Sequence, residues 1–373
     1  MDDIMQLTDE RLPKLRLLQE ELQSSPNGKL YVWGAAAKAR VITSYITNNS
    51  SLSVTAYVVH DNYFFEETFL GKPVLKASDF LKSVTENDRV ILNNQTYGRE
   101  KGMQEEMPSV KFVYLPIPTS VHADGTWLDR DFYQRHKERF EGTRNLLADD
   151  ISKQTMDAFI KACITGNTEE LDSLYAKGQY FNELVDSCKS GCFVDCGAYT
   201  GDTVESAIDF LGDRIEGVIA FEPNLNNMIK LKEQMKKIAG GRKLKLLQKG
   251  TYDKSTMLRF SSSEGTSSFT AVSEDGNMTI ETDSIDNAAS DMGEISFIKM
   301  DIEGSELKGL LGAAETIRKY HPILTICAYH KPEDLFELPE TIRKITNDSG
   351  YKYYLRYHAE ALIELVLYAI PVD

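Results

Sequence analysis

Residues 193–211 read FVDCGAYTGDTVESAIDFL, and the way this stretch folds decides the rest of the chain. An apolar run is followed by a turn bounded by two glycines and then by apolar residues at three- and four-residue spacing, which predicts strand, tight turn and helix. Gly197 and Gly201 let the backbone pass close to a ligand where a Cβ would clash, and Asp202 or Thr203 is expected to cap the helix. Cys188, Cys192 and Cys196 crowd against the same turn and offer a rival reading, as thiolate ligands of zinc or an iron-sulfur cluster. CxxxCxxxC is not a zinc-knuckle spacing, however, and no CxxC or HxxxH pattern elsewhere supplies a fourth ligand. On the strand, Val194 and Cys196 point one way and Asp195 the other, so the thiols read as small buried apolar groups.

Downstream the alternation continues. CFVDCG, GVIAFEP, LKLLQKG, ISFIKMD and PILTICAYH are candidate strands with helical stretches between them, and YKYYLRY and LIELVLYAI close the pattern. The last two are joined by only HAEA, too short for a parallel crossover, so they are expected to pair antiparallel. Five βα units closed by such a hairpin give a seven-stranded sheet. Residues 256–282 turn to Ser, Thr and Gly with alternating apolar residues, the pattern of a β-hairpin or irregular insertion.

Upstream, a leading helix ends at the turn signal SSPNG. KLYVWG, SVTAYVV, DRVILNN and VKFVYLPI then read as strands of a small parallel α/β domain, with LGKPVLKASDFL as a separating stretch. Residues 127–180 carry helical spacing and no strand signal. The expected organisation is a small α/β domain over 1–120, a helical connector over 121–185 and a larger α/β domain over 186–373.

The 373 residues, 42% hydrophobic and 27% charged, are enough for cores that need no disulfide or metal. No stretch approaches the roughly 18 consecutive apolar residues of a membrane helix. MDDIMQLTDE is acidic where a secretory signal is basic and then apolar, so a cytoplasmic location with reduced thiols is expected. A formal charge of −15 repels a phosphate backbone, and no basic, aromatic-rich stripe offsets it, which argues against a nucleic-acid partner.

Glu222 ends the strand after the glycine turn, in IAFEP, the place where ribose hydroxyls are held in dinucleotide folds. An adenosine-containing ligand is therefore expected. NAD or FAD would set a pyrophosphate on the helix N-terminus, where a carboxylate competes with it. Here Asp195 and Asp202 flank the turn, and GxxxG departs from GxGxxG. Two acids suit a ligand with no phosphate and a positive centre. S-adenosylmethionine fits, with a cationic sulfonium, an ammonium that can pair with a carboxylate, and a ribose for Glu222.

From about residue 146 to 370 the chain resembles the FkbM family of S-adenosylmethionine-dependent methyltransferases. The resemblance rests on FVDCGAYTGDT, IAFEPN, FIKMDIEGSELKGLLGA and PILTICAYHKPEDLFELP, in that order, with FIKMDIEG and the following ELKGL the most specific. It implies a class I, Rossmann-like methyltransferase fold, in agreement with the seven-stranded sheet. It also implies methylation of hydroxyl groups, often on sugars of glycans or on polyketide products. By matching positions it implies Asp195, Gly197, Gly201, Asp202 and Glu222 as cofactor contacts, with Asp301 and Glu303 beside the cofactor. The N-terminal domain lies outside this core and resembles the small Rossmann-like modules of sugar-modifying enzymes. VWGAAAKA keeps one glycine of GxGxxG, so a scaffold or acceptor-recognition role is expected there. Asp61 would be the ribose ligand if the turn were a second cofactor site.

Methyl transfer is an in-line displacement, and a sugar hydroxyl attacks well only once a base relieves it of its proton. Asp301 and Glu303 end the fourth strand and His330 the fifth, at the C-terminal edge where open α/β sheets bind ligands. His330 is the expected base because its unperturbed pKa lies near neutrality. Lys299 reads as the ion-pair partner of Asp301 on the same strand face. Asp301 is expected to position substrate or to cap the helix of EGSELKGLLGA rather than to bind a divalent ion with Glu303, so no metal is expected. Ser267 and Ser268 resemble a polar loop that reaches the pocket in the family, and Arg356 and His358 read as surface residues or acceptor-pocket lining. The expected partner is a sugar- or glycan-containing acceptor. The rival readings are an adenosine-binding regulatory module without chemistry and an NAD-dependent sugar oxidoreductase, the latter disfavoured by the two acids at the turn.

Overall fold

A computed structural model describes residues 4–35, 37–64, 66–92, 103–118, 126–261, 271–272, 278–359 and 362–372. Ser267 and Ser268 lie outside the described residues. The chain divides into two compact units. One comprises Met1–His136, Met156–Tyr175 and Ala359–Ile363, the other Lys137–Thr155, Ala176–His358 and Glu364–Asp373.

In the first unit α1 (Arg11–Ser24), β1 (Leu30–Trp33), α2 (Ala37–Asn49), β2 (Val54–Val59), β3 (Thr68–Phe69), β4 (Lys72–Lys76), α3 (Ala77–Phe80), β5 (Arg89–Leu92) and β6 (Phe112–Tyr114) follow one another. The sheet order is β3-β4-β2-β1-β5-β6, parallel except for the β3–β4 hairpin. That hairpin lies in the stretch read from sequence as a separator. Leu70 (φ 49°) and Gly71 (φ 70°) make its turn, a left-handed pair of the kind that suits a two-residue hairpin connection. A two-residue β3 and Pro73 in β4 leave no alternating pattern to find. The Arg11 guanidinium is buried in this unit, 2.7 Å from Asp9 and bonded to the carbonyls of Pro116, Cys163 and Ile164, with the Trp127 ring 4.6 Å away. Asp61 accepts from the Ser78 amide at 3.0 Å, at the start of α3.

Four helices follow, α4 (Arg130–Arg135), α5 (Lys137–Leu146), α6 (Asp150–Thr165) and α7 (Glu169–Asp172), where the sequence showed helical spacing alone. The second unit then runs β7 (Gly191–Cys196), α8 (Asp202–Leu211), β8 (Ile215–Phe221), α9 (Leu225–Ile238), β9 (Lys243–Leu247), β10 (Gly250–Thr251), β11 (Thr256–Ser261), β12 (Ala271–Val272), β13 (Met278–Asp283), α10 (Ile285–Ala289) and β14 (Ile295–Met300). It ends with α11 (Glu306–Leu311), α12 (Ala314–Tyr320), β15 (Ile323–Cys327), α13 (Asp334–Ile345), β16 (Tyr351–Tyr357) and β17 (Leu365–Pro371).

Its main sheet has seven strands in the order β16-β17-β15-β14-β7-β8-β9. The five βα strands are parallel, and β17 pairs antiparallel with both β15 and β16. Every residue of β7 and β14 is buried, as expected of central parallel strands covered on both faces. α8 packs Val204, Ala207 and Leu211 inward. α9 opens on Asn224, whose side chain accepts from the amides of Asn226 and Asn227, and closes on Lys236 and Lys237, which oppose the negative end of the helix dipole. The insertion between β9 and β14 contains the antiparallel pair β11–β13, with Thr256 opposite Thr282. All five cysteines are buried and unpaired; Cys192 Sγ, for one, lies 3.2 Å from the Met292 carbonyl oxygen.

Candidate active site

The order β9-β8-β7-β14-β15 reverses direction at β7, so β7 and β14 diverge at their C-terminal ends and leave a crevice there. The glycine turn sits over it. Gly197 has φ 81°, and a Cβ on it would fall on the Asp301 carbonyl oxygen. Gly201 has φ 95° and is itself the N-cap residue of α8, with no side-chain capping bond. Asp202 therefore begins the helix, and neither Asp202 nor Thr203 caps it. A left-handed glycine already turns the chain into the helix, leaving the Asp202 carboxylate facing outward.

The crevice encloses a cavity of about 510 Å³, within the range of small-molecule sites. Gly197, Tyr199, Asp202, Glu222, Pro223 and Thr251 line it together with Gln179, Tyr180, Lys299, Asp301, Glu303 and Glu364. Four of these have left-handed backbones without being glycine: Tyr180 (φ 66°), Tyr199 (φ 46°), Glu303 (φ 54°) and Glu364 (φ 54°). Such strain is held only where the surrounding structure fixes it.

Glu222 is 5% exposed. One carboxylate oxygen accepts from the Tyr199 amide at 2.9 Å and the other from the Asn224 amide at 2.8 Å. Burial pushes its pKa up to about 7, against those bonds, which favour the charged form. The Asn227 side chain donates a third bond at 3.3 Å, and a carboxylate offers about four acceptor positions, so one remains for a ligand hydroxyl.

Asp195 is fully buried behind the cavity wall. It pairs with Lys299, which the strand register sets directly opposite, at 3.0 Å. The expectation that Lys299 pairs with Asp301 is thus corrected, because a neighbour on the adjacent strand lies closer than one two residues along the same strand. Burial works against the Lys299 charge, but the Asp195 and Asp301 carboxylates outweigh it and hold the proton on. The ammonium also donates to the Gly197 carbonyl at 2.9 Å, tying the glycine turn to β14.

Asp301 accepts from the Tyr180 hydroxyl at 3.1 Å. It does not cap α11. The Glu306 carboxylate instead reaches back to the Ile302 amide at 2.8 Å. His330 stands behind the wall, its Nε2 3.5 Å from Asp301 and 3.7 Å from Glu303, its Nδ1 2.9 Å from Glu306. Burial would lower its pKa, but the three carboxylates override burial and push it up to about 10. The near-neutral imidazole expected from sequence is therefore an imidazolium in this setting.

Of the residues singled out from sequence, Gly197, Asp202, Glu222, Asp301 and Glu303 line one cavity, while Asp195, Gly201 and His330 lie behind its wall. Arg356 and His358 are neither surface nor lining residues. Arg356 is buried against Asp149 at 2.6 Å and Ser152 at 2.8 Å. His358 sits between the Ala176 carbonyl and the Tyr368 hydroxyl, each at 2.7 Å, and burial depresses its pKa to about 4. Gln179, Tyr180 and Glu364 join the lining without having been foreseen, since no motif marks them and only the fold brings them to the crevice, whereas Tyr199 joins it from inside the glycine turn.

The sequence model of the methyltransferase FkbM domain matches residues 195–353. The crystal structure of methyltransferase FkbM from Methylobacillus flagellatus KT is 21% identical, covering 95% of this chain and 92% of that one, with a TM-score of 0.64. It shares the fold. An rRNA methylase from Streptococcus thermophilus is 12% identical over 51% of this chain and 92% of its own, with a TM-score of 0.33, a likeness too slight to argue from. No curated protein matches the sequence. Residues 195–353 thus match a methyltransferase FkbM domain model, and the fold is the one seen in the Methylobacillus flagellatus structure. To S-adenosylmethionine, the cofactor expected from sequence, the cavity offers a side-chain-free cradle at Gly197 and a buried acceptor at Glu222. No helix among the described residues is long and apolar enough to cross a membrane.

Proposed function

We propose that the cavity transfers a methyl group to a hydroxyl oxygen of a sugar or glycan acceptor, in the cytoplasm. The supporting observation is that one cavity is lined both by the buried acceptor Glu222 and by the carboxylates Asp301 and Glu303. When bound, S-adenosylmethionine supplies an electrophilic methyl on a sulfonium. Glu222 accepts the ribose hydroxyls, Gly197 admits the ligand against the backbone, and Asp202 faces the ammonium. Asp195 and Gly201 act from behind the wall, the first by fixing Lys299 and the second by starting α8 in register. Asp301, oriented by Tyr180, takes the acceptor proton, a step worth about 100-fold to 10,000-fold. His330 and Glu303 hold Asp301 in place, and alignment of oxygen with methyl carries much of the remaining rate. The domain of residues 1–120 serves as scaffold or recognises the acceptor.

The test is titration calorimetry with S-adenosylhomocysteine, S-adenosylmethionine and NAD on the protein and on Glu222→Ala, followed by transfer of labelled methyl to sugar acceptors with Asp301→Asn as control. Binding of the two sulfur ligands that weakens about tenfold or more in Glu222→Ala, with transfer lost in Asp301→Asn, supports the reading. Binding of NAD alone, or transfer unaffected by Asp301→Asn, overturns it.

A further inference from the structure

Behind the cavity wall, Asp301, Glu306 and His330 bring one carboxylate oxygen, another carboxylate oxygen and one ring nitrogen within 4.8 Å of one another. Two ligand atoms at opposite sides of one ion, each about 2.1–2.4 Å from it, are separated by no more than that. Glu306 is fully buried, and its Oε2 has no hydrogen-bond partner. His330 Nδ1 faces the other oxygen, Glu306 Oε1, at 2.9 Å. A buried carboxylate oxygen left without a partner costs stability unless something satisfies it. A further carboxyl, Asp334, is 2% exposed and interacts electrostatically with both Glu306 and His330. Glu303 stands on the open side, 3.7 Å from His330. Among nearby cations, Lys299 is engaged by Asp195, and Lys331 lies beside Asp334.

We propose that Asp301, Glu306 and His330 form a divalent-cation site that opens onto the cavity through Asp301. A donor set of two carboxylates and one imidazole suits Mn²⁺ or Zn²⁺ better than Mg²⁺ or Ca²⁺, which prefer oxygen alone. Glu306 and His330 hold the ion from the protein side, the ion displacing one ring proton of the His330 imidazolium to solvent, and Asp301, whose side chain is 28% exposed, holds it from the cavity side. The remaining positions face the cavity, where an ion orients an acceptor oxygen and eases loss of its proton. That use of the ion rests on the methyl-transfer reading, whereas the site itself does not. The fold makes the site, because Asp301 and Glu306 flank the left-handed turn at Glu303 and Gly304, while His330 arrives from the end of β15.

The experiment uses the full chain, stripped with chelator and titrated near neutral pH with MnCl₂. Binding is followed by calorimetry and by loss of the aqueous Mn²⁺ resonance, with S-adenosylhomocysteine binding measured on the same samples. One saturable site that weakens at least about tenfold in His330→Gln and in Asp301→Asn is the expected result. Glu306→Gln is a third variant, and circular dichroism checks the fold of each. No saturable binding up to on the order of 1 mM, weaker than any site of this kind is expected to be, overturns the site. So does binding that both variants leave unchanged. Retained S-adenosylhomocysteine binding without Mn²⁺ binding would sink the metal site and leave the methyl-transfer reading standing; Mn²⁺ binding without S-adenosylhomocysteine binding would do the reverse.

Discussion

Tyr180 donates its hydroxyl hydrogen to Asp301 across 3.1 Å, joining the segment before β7 to the end of β14. The same hydroxyl lies 3.2 Å from Cys327 Sγ, so the ring is pinned between two strand ends. A hydrogen bond to a charged group contributes about 1.5–3 kcal/mol. Tyr180→Phe is therefore expected to lower kcat about tenfold or more while changing S-adenosylhomocysteine affinity by less than about twofold. An unaltered kcat would mean that Asp301 needs no such orientation.

Lys299 and Asp195 are both buried and 3.0 Å apart. Removing one partner of such a pair costs about 3–5 kcal/mol, because the other charge is left without compensation. Lys299→Met is expected to lose that much in urea denaturation. Asp195→Asn is expected to lose less, since the ammonium keeps the Gly197 and Cys196 carbonyls. A loss below about 1 kcal/mol for Lys299→Met, the range of an exposed pair, would contradict the assignment.

Glu222 carries the pH dependence of nucleoside binding. Burial raises its pKa from 4.5 to about 7. Between those values the folded chain holds a proton that the unfolded chain has released, so the unliganded protein loses stability as pH rises through this window. The ionised carboxylate is the better acceptor of ribose hydroxyls, so S-adenosylhomocysteine affinity should rise over the same interval. Thermal melts and calorimetry at several pH values check both, the stability slope as the difference between wild type and Glu222→Gln, because Asp195 and His358 titrate in overlapping windows. A wild-type affinity indifferent to pH would remove Glu222 from the contact.

Gly197 and Gly212 make a controlled comparison. Gly197→Ala puts a methyl on the Asp301 carbonyl and also requires φ 81°, whereas Gly212, at φ 59°, has nothing within 4 Å of an added Cβ. Gly212→Ala should cost about 1–3 kcal/mol from backbone strain alone, since φ 59° with ψ −130° is a conformation that only glycine adopts readily. Gly197→Ala should cost more and abolish cofactor binding as well. Equal losses in the two variants would show that the cradle is not a close approach.

The strand-turn-helix at β7 and α8 was legible because the period of apolar residues changes from two to nearly four across the glycine turn. The antiparallel closing pair was legible because HAEA is too short for anything else. By contrast, the partner of Lys299 depends on which strand lies beside β14 and in what register, information that no local window holds. The charge state of His330 depends on Glu306, Asp301 and Glu303, carboxylates whose approach needs the turn after β14 to be built first. Tyr180 fell inside the stretch read as helical connector, and a tyrosine at positive φ leaves no sequence signature. The β3–β4 hairpin was hidden by its brevity and by Pro73.

The strand order carries a consequence for how the protein is made. β17 follows every other strand in the chain yet lies between β15 and β16, and Glu364, which lines the cavity, immediately precedes it. During synthesis β15 and β16 emerge with an unfilled slot between them, and an unpaired strand edge of that kind is prone to aggregate until it is covered. The sheet and the cavity wall are completed together, once β17 is in place. A nascent chain therefore has no finished site to expose, and loss of β17 in a truncated product should remove solubility and ligand binding in the same step.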